Sequence, residues 1–259
     1  MTTLQAVILA VIQGATEFLP VSSSGHTVLV QSVMGITAEG VVWEVALHLG
    51  TLAVVLWMFR TDVIQIVVGF LKGIRESFRR GFRAAWGENP HYRMGWYLVL
   101  GTIPAGLVGI FLKDQIEALF DNPLISAGMI FVTGEILWLT RPHSLVPQGH
   151  DVNLRDSIWI GLAQSVAIIP GISRSGSTIA AGLMRDVKRD AAARFSFLLA
   201  IPAILGAAVL ELGDFGKLTG PELKTMGIGV AVSAVTGYIA LSVLLRVVKR
   251  GRLHLFAWY

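Results

Sequence analysis

The sequence predicts an all-α polytopic membrane protein, an inverted-topology repeat with two re-entrant helical hairpins and at least five transmembrane helices. Three observations predict it: an apolar composition, apolar stretches long enough to cross a bilayer, and a polar motif that occurs twice. Of the 259 residues, 54% are hydrophobic and 15% charged, whereas soluble domains average about 45–50% apolar and about 25% charged. The absence of cysteine excludes disulfides and thiolate metal sites.

Apolar stretches near the length of a transmembrane helix, about 20 residues, occur five times in the sequence. They are 41–59, 94–112, 123–140, 195–212 and 226–245. Two shorter apolar runs, 4–19 and 157–169, lead directly into polar sequence. Irregular backbone at membrane depth occurs only where it is buried in protein or lines a wet cavity. We therefore expect both short runs to enter the membrane and turn back.

The distribution of Lys and Arg predicts the orientation. The cytoplasmic side is assigned to four segments: 60–93, 141–155, 185–194 and 246–252. These hold 17 of the 21 basic residues, whereas 113–121 and 213–224 on the opposite side hold three. This positive-inside bias explains the pI of about 9.6 without a nucleic-acid partner. It also makes the first hairpin enter from outside and the second from the cytoplasm, as in an inverted repeat.

Residues 61–86 mix apolar side chains with five basic ones: Lys72, Arg75, Arg79, Arg80 and Arg83. We interpret this segment as a cytoplasmic loop that sets the orientation. An interfacial helix that binds anionic headgroups is the alternative.

A polar pattern recurs after 151 residues. Gln13, Ser22, Ser24, Gly25 and Thr27 coincide with Gln164, Ser173, Ser175, Gly176 and Thr178. One membrane domain, 1–259, is thus predicted to contain repeat one, about 1–140 with hairpin 4–34, and repeat two, about 155–259 with hairpin 157–186. The second repeat lacks a counterpart of the stretch 123–140.

The two hairpin tips suit a phosphate group, since hydroxyls and free N–H groups at helix N-termini bind anions. Arg174 adds a planar cation that matches phosphate oxygens, and an unpaired arginine at membrane depth is costly. Pairing of Arg174 with Glu17, which would only hold the hairpins together, is the alternative. The predicted substrate-binding residues are Gln13, Ser22, Ser24, Gly25, Thr27, Gly171, Ser173, Ser175, Gly176, Ser177 and Thr178.

Ser23 and His26 are three residues apart, so one helical turn would bring them together as nucleophile and base. The alternative is that His26 only makes local hydrogen bonds. Glu17, an ionisable group at membrane depth, is a further catalytic candidate. Glu44 and His48 are interpreted as a structural pair rather than as catalytic groups.

The motifs QGATEFLPVSSSGHT (13–27) and PGISRSGST (170–178) together make the chain resemble the undecaprenyl-pyrophosphate phosphatases of the BacA/UppP, or bacitracin-resistance, family. The resemblance implies removal of the terminal phosphate of the polyprenyl pyrophosphate carrier on the extracytoplasmic face of the bacterial plasma membrane, which recycles the lipid for peptidoglycan synthesis. It also implies a divalent cation, Mg²⁺ or Ca²⁺, and a homodimer.

Matched residue by residue, the catalytic set implied by the resemblance is Glu17, Ser23, His26 and Arg174, with Glu17 orienting His26 or acting as the metal ligand. The chain departs from the family pattern at Gln13, where a glutamate is common. Family members also usually continue past the equivalent of Tyr259 with one more transmembrane helix.

Other functions remain open from the residues alone. Opposed hairpins in an inverted repeat are typical of transporters, so a transporter or flippase of a phosphorylated polyprenyl lipid is the main alternative. A membrane scaffold without chemistry is a weaker one, because it leaves the buried charges unexplained. Within the phosphatase interpretation, His26 either activates Ser23 or activates water directly.

Overall fold

A computed structural model of the chain describes residues 2–36, 41–141, 149–216 and 218–259. Within these ranges the chain is helical, apart from turns and an isolated bridge between His150 and Val187. The helices are α1 Thr3–Phe18, α2 Ser23–Val33, α3 Val41–Met58, α4 Arg60–Arg80, α5 Phe82–Glu88, α6 Pro90–Phe111, α7 Lys113–Phe120, α8 Pro123–Leu139, α9 Leu154–Val166, α10 Arg174–Met184, α11 Arg189–Leu210, α12 Leu212–Phe215, α13 Gly220–Lys249 and a final 3-10 helix, Leu253–Trp258.

The lengths and hydropathies confirm an all-α polytopic membrane protein. Three described helices, α6, α11 and α13, are each long and apolar enough to cross a membrane. They contain the predicted stretches 94–112 (to residue 111), 195–212 (to residue 210) and 226–245. The stretches 41–59 and 123–140 each belong to a bent pair, α3 with α4 at 82° and α7 with α8 at 96°. Counting each bent pair as one span gives up to five.

The segment after α3 corrects one expectation. Instead of a loop, residues 60–88 form the helices α4 and α5. α4 packs against α6 through small residues: a Cβ on Gly73 would lie 2.3 Å from the ring of Tyr92, and one on Gly95 would lie 2.3 Å from the ring of Phe70. Close approach at glycine is typical of helix packing in membranes. In the predicted cytoplasmic segment 141–155, residues 142–148 lie outside the described residues.

Each short apolar run forms a helix that ends in an irregular tip and is followed by an eleven-residue helix. The first pair is α1 and α2, and the second is α9 and α10. Small residues hold the first helix of each pair against a neighbouring helix. A Cβ on Gly14 of α1 would lie 2.0 Å from Thr236 Oγ1 of α13, and a Cβ on Gly161 of α9 would lie 2.3 Å from the Gly101 carbonyl oxygen of α6.

The two tips, residues 20–27 and 171–178, contact each other at equivalent positions of the repeat. A Cβ on Gly25 would lie 2.9 Å from Gly171 Cα, and a Cβ on Gly176 would lie 3.2 Å from Pro20 Cβ. Gly171 has φ +97°, and its Cβ would lie 2.2 Å from the Ser126 carbonyl oxygen, so only glycine fits there. Thr133 of α8 supports this turn, since its hydroxyl donates to the Gly171 carbonyl (2.9 Å) and accepts from the Ser173 N–H (3.0 Å).

Candidate active site at the meeting point of the two tips

A cavity of about 420 Å³, here called the catalytic cavity, lies where the two tips meet. One wall is apolar and comes largely from α6 and α11, between residues 105 and 110 and between 202 and 210. The opposite wall collects the polar side chains of the tips and of α3. They are Glu17, Ser22, Ser23, Ser24, Glu44, His48, Gln164, Ser173 and Arg174.

Glu17, at the end of α1, is the centre of the polar wall and is only 6% exposed. Its Oε1 pairs with Arg174 from the second tip. Its Oε2 accepts from the Ser23 hydroxyl at 2.6 Å and the Gln13 amide at 2.9 Å, and lies 3.2 Å from His48 Nε2. A buried carboxylate is stable only when it is paired and hydrogen-bonded. These four neighbours meet that requirement and hold the carboxylate against Ser23.

The backbone of the first tip places Ser23 beside Glu17. Ser22 has φ 69°, and its side chain caps α2 by accepting from the Gly25 N–H at 3.2 Å. A non-glycine residue in this region costs on the order of 1–3 kcal/mol, and such strain persists where the surrounding structure imposes it. The turn at Ser22 makes Ser23 the first residue of α2, where helical N–H groups have no intrahelical partner.

Arg174 occupies the equivalent first position of α10. The pairing with Glu17 that sequence analysis gave as the alternative is present. It uses only one end of the guanidinium, because Nη1 is buried and has no hydrogen-bond partner among the described residues. A buried cationic donor without a partner is expensive, so this nitrogen is available to a ligand in the cavity.

His26 does not form the predicted pair with Ser23. Its Nδ1 lies 2.7 Å from the Ser22 carbonyl oxygen and its Nε2 lies 2.7 Å from the Tyr259 hydroxyl, on whose ring the imidazole stacks. His26 is also not among the residues of the cavity wall. Residues three apart on a helix are neighbours, but the Ser23 hydroxyl points to the Glu17 carboxylate of α1 and not to His26. A catalytic role for His26 stays a prediction without support from this geometry.

Three polar residues of the wall, Glu44, His48 and Gln164, were not predicted as functional. His48 donates from Nδ1 to the Glu44 carbonyl at 2.6 Å, since a carbonyl only accepts, and turns Nε2 towards Glu17. Gln164 is 2% exposed, yet within the part of the chain that the structure describes neither its Oε1 nor its Nε2 has a hydrogen-bond partner. The repeat could have revealed Gln164, because it matches Gln13. The contact of His48 with Glu17 joins two separate helices, and residue spacing gives no sign of it.

Known proteins resemble this chain over nearly its whole length. The family described as "Bacitracin resistance protein BacA" matches residues 6–259. The chain belongs to the BacA family. It is 42% identical to a protein named undecaprenyl-diphosphatase from Methanobrevibacter smithii and 44% identical to one of the same name from Desulfosudis oleivorans. Both matches cover 100% of this chain, and they cover 94% and 95% of the two relatives.

The predicted substrate-binding residues of this BacA-family chain fall into two groups. Ser22, Ser24 and Ser173 line the cavity. The others do not line it: Thr27 and Thr178, for example, donate to the backbone carbonyls of Ser23 and Arg174 within the tips, and Gln13 donates to Glu17. This second group is Gln13, Gly25, Thr27, Gly171, Ser175, Gly176, Ser177 and Thr178.

The divalent cation implied by the BacA-family resemblance finds no ready ligand set here. Both oxygens of Glu17 are engaged, one of them by a cation. The described ranges contain no group of three or more His, Cys, Asp or Glu side chains that could hold a metal ion. Mg²⁺ and Ca²⁺ require several free oxygen ligands, so the donor set does not fit a cation held by this chain alone, and we derive no step through one.

A second cavity, of about 590 Å³, continues the first and shares Glu44, Gly109 and Phe120 with it. We call it the outer vestibule. It is lined by the charged side chains of Lys113, Asp114, Glu117, Asp121 and Glu211. The Lys113 amine donates to Glu211 at 2.9 Å. The polar site thus continues into a charged opening at the C-terminal ends of α6 and α11.

Proposed function

We propose that this chain hydrolyses undecaprenyl pyrophosphate to undecaprenyl phosphate and phosphate. One observation carries the proposal: the Ser23 hydroxyl donates to Glu17 at 2.6 Å on the wall of a cavity that also contains Arg174. A hydroxyl bonded to a buried carboxylate is an activated nucleophile, and an arginine beside it suits a phosphoryl group.

The pyrophosphate is held by groups from both tips. Arg174 Nη1, which has no partner among the described residues, binds an oxygen of the terminal phosphate. The N-termini of α2 and α10 both reach the cavity wall, through Ser23 and Arg174, and helix N-termini favour anions. Charge on the transferred phosphoryl group is therefore stabilised by donors that are already in place, which is the main requirement of this chemistry.

The reaction proceeds in two steps. Ser23 Oγ attacks the terminal phosphorus while Glu17 takes its proton, the anhydride P–O bond breaks, and Glu17 gives the proton to the departing lipid phosphate. A water molecule then attacks the phosphoserine and loses a proton to Glu17, which returns one to Ser23 Oγ as phosphate leaves. His48 and Gln13 keep the Glu17 carboxylate in position throughout.

The site opens to the extracytoplasmic side of the plasma membrane in this proposal. The outer vestibule is lined by residues 113–121, a segment with one basic residue, whereas 17 of the 21 lie in the segments assigned to the cytoplasm. Phosphate leaves through this vestibule. The homodimer and the divalent cation remain predictions from the family resemblance.

Phosphate release from undecaprenyl pyrophosphate by the purified protein tests the proposal. We expect Ser23→Ala to abolish release, and acid quenching of the wild type to trap a phosphoserine at Ser23 detectable by mass spectrometry. Ser242→Ala, which removes an exposed hydroxyl bonded only within α13, is the matched control and keeps wild-type activity. Release by Ser23→Ala at the wild-type rate would contradict the nucleophile.

A lipid-flip assay in liposomes tests the transporter alternative, which no observation on the described residues favours. Movement of the lipid by a wild-type protein that releases no phosphate would replace the proposed hydrolysis with transport.

A further inference from the structure

The catalytic cavity has a second continuation, on the side of the lipid. A groove of about 480 Å³ runs between α4 and α6, and we call it the apolar groove. It shares Thr102, Gly106 and Pro202 with the catalytic cavity, so the two adjoin at these residues. Its volume lies within the range of about 300–1,000 Å³ that is usual for ligand sites.

The lining of the groove is chemically uniform. It is made of aliphatic and aromatic side chains, among them Phe70, Leu98, Val99 and Ile103. Thr102 brings the one side-chain hydroxyl, which donates to the Leu98 carbonyl of its own helix at 2.7 Å. Nothing in the groove wall therefore offers a free polar side-chain group.

The groove is open along its length. Val67 of α4 is 51% exposed, and Val99 and Ile103 of α6 are 43% and 46% exposed. α6 is long and apolar enough to cross a membrane, so its exposed side chains Val99 and Ile103 face lipid. An apolar chain that enters the groove from the bilayer therefore reaches the edge of the catalytic cavity without meeting a free polar side chain.

The outer vestibule and the apolar groove differ in the chemical groups that they can admit. The outer vestibule carries Lys113, Glu117 and Glu211 and suits water and phosphate. The apolar groove suits hydrocarbon. A polyprenyl pyrophosphate has one charged end and one hydrocarbon end, and the catalytic cavity lies between two openings that match these ends.

We propose that the apolar groove between α4 and α6 binds the isoprenoid tail of the substrate nearest to the pyrophosphate. This inference rests on the proposed function. Because α6 begins at its cytoplasmic end at Pro90 and the groove follows residues 95–106, the tail extends from the site into the cytoplasmic half of the membrane. The groove then contributes to selection for chain length.

The experiment compares two substrates, undecaprenyl pyrophosphate and the short farnesyl pyrophosphate. Val99→Trp and Ile103→Trp narrow the groove without touching the polar wall. We expect each to lower the ratio of kcat/KM for the long substrate over the short one by about tenfold, the lower end of what a shaped apolar pocket discriminates. Val235→Trp, on a side chain of α13 that is 64% exposed and lines none of these cavities, is the matched control and keeps the wild-type ratio.

A second measurement on the wild type does not depend on variants that fold. A polyprenyl pyrophosphate with a diazirine in its first isoprene units is photolysed in the membrane, and the labelled peptides are sequenced. We expect labelling of residues 66–71 and 95–103 that excess undecaprenyl pyrophosphate removes. Labelling of α13 to the same extent would mean that the tail lies in bulk lipid.

The outcomes distinguish a failure of the apolar groove from a failure of the proposed hydrolysis. An unchanged substrate ratio in both tryptophan variants, in a protein that hydrolyses both substrates, would overturn the tail groove and leave the proposed function intact. A wild-type protein that releases no phosphate from either substrate would overturn the proposed function and the groove with it.

Discussion

The two tips, residues 20–27 and 171–178, share a backbone device and differ in chemistry. In each tip a serine caps the following helix by accepting from the N–H of a glycine, Ser22 from Gly25 at 3.2 Å and Ser173 from Gly176 at 3.1 Å. In each, the capping serine also lies 3.2 Å from the serine two residues on. The first helical position then differs: it is Ser23 in one tip and Arg174 in the other.

The two tips therefore share a backbone arrangement but have different chemical roles. One tip contributes the hydroxyl, and the other contributes the cation. The segments that precede the two tips also differ, since the position equivalent to Glu17 is Ile168 in the second repeat. A carboxylate beside each tip would have placed two like charges at one site, which is destabilising. One carboxylate instead serves both tips, because it contacts Ser23 and Arg174 together.

The largest expected effect comes from removing the shared carboxylate. Glu17→Gln keeps the shape but accepts no proton, so we expect kcat for phosphate release to fall about 1,000-fold, within the range for loss of a general base. His26→Ala should lower kcat less than tenfold, because His26 contacts Ser22 and Tyr259 and not Ser23. Steady-state kinetics measure both, with Glu135→Gln, an exposed carboxylate of α8, as the control. An equal loss in His26→Ala would restore the pairing expected from the spacing.

Removal of the cation from the second tip should have the next largest effect. Arg174→Ala takes away the donor to the phosphoryl oxygens, and we expect kcat/KM to fall about 100-fold, as for loss of one preorganised donor. Arg174→Lys should recover only part of this, because the compact ammonium lacks the planar fork that places one nitrogen on Glu17 and the other in the cavity. Arg155→Ala, at an exposed position at the start of α9, is the control. Full activity of Arg174→Lys would show that charge alone matters.

The sequence predicted the spans and the repeat better than it predicted the side-chain contacts of the site. Length and hydropathy located the spans because a bilayer requires about 20 apolar residues, and the 151-residue shift matched the residues of the two tips. The partner of Ser23 depends on the strained turn at Ser22, which the spacing of Ser23 and His26 does not encode. The contact between His48 and Glu17 depends on the packing of α3 against α1, and only tertiary structure brings it about.

The smallest expected effect tests the strained turn itself. Glycine at a helix N-cap costs only a few tenths of a kcal/mol relative to serine, but it also relieves a positive φ, which Ser22 has at 69° and Ser173 does not, at −70°. Glycine adds unfolded-state entropy, about 0.5–1 kcal/mol, at both positions. We therefore expect Ser22→Gly to keep or raise the free energy of unfolding and Ser173→Gly to lower it by about 1 kcal/mol. Thermal unfolding in detergent would show an unchanged or higher Tm for Ser22→Gly and a lower Tm for Ser173→Gly. Equal losses in the two variants would mean that the turn at Ser22 is unstrained and that the tips differ only in their side chains.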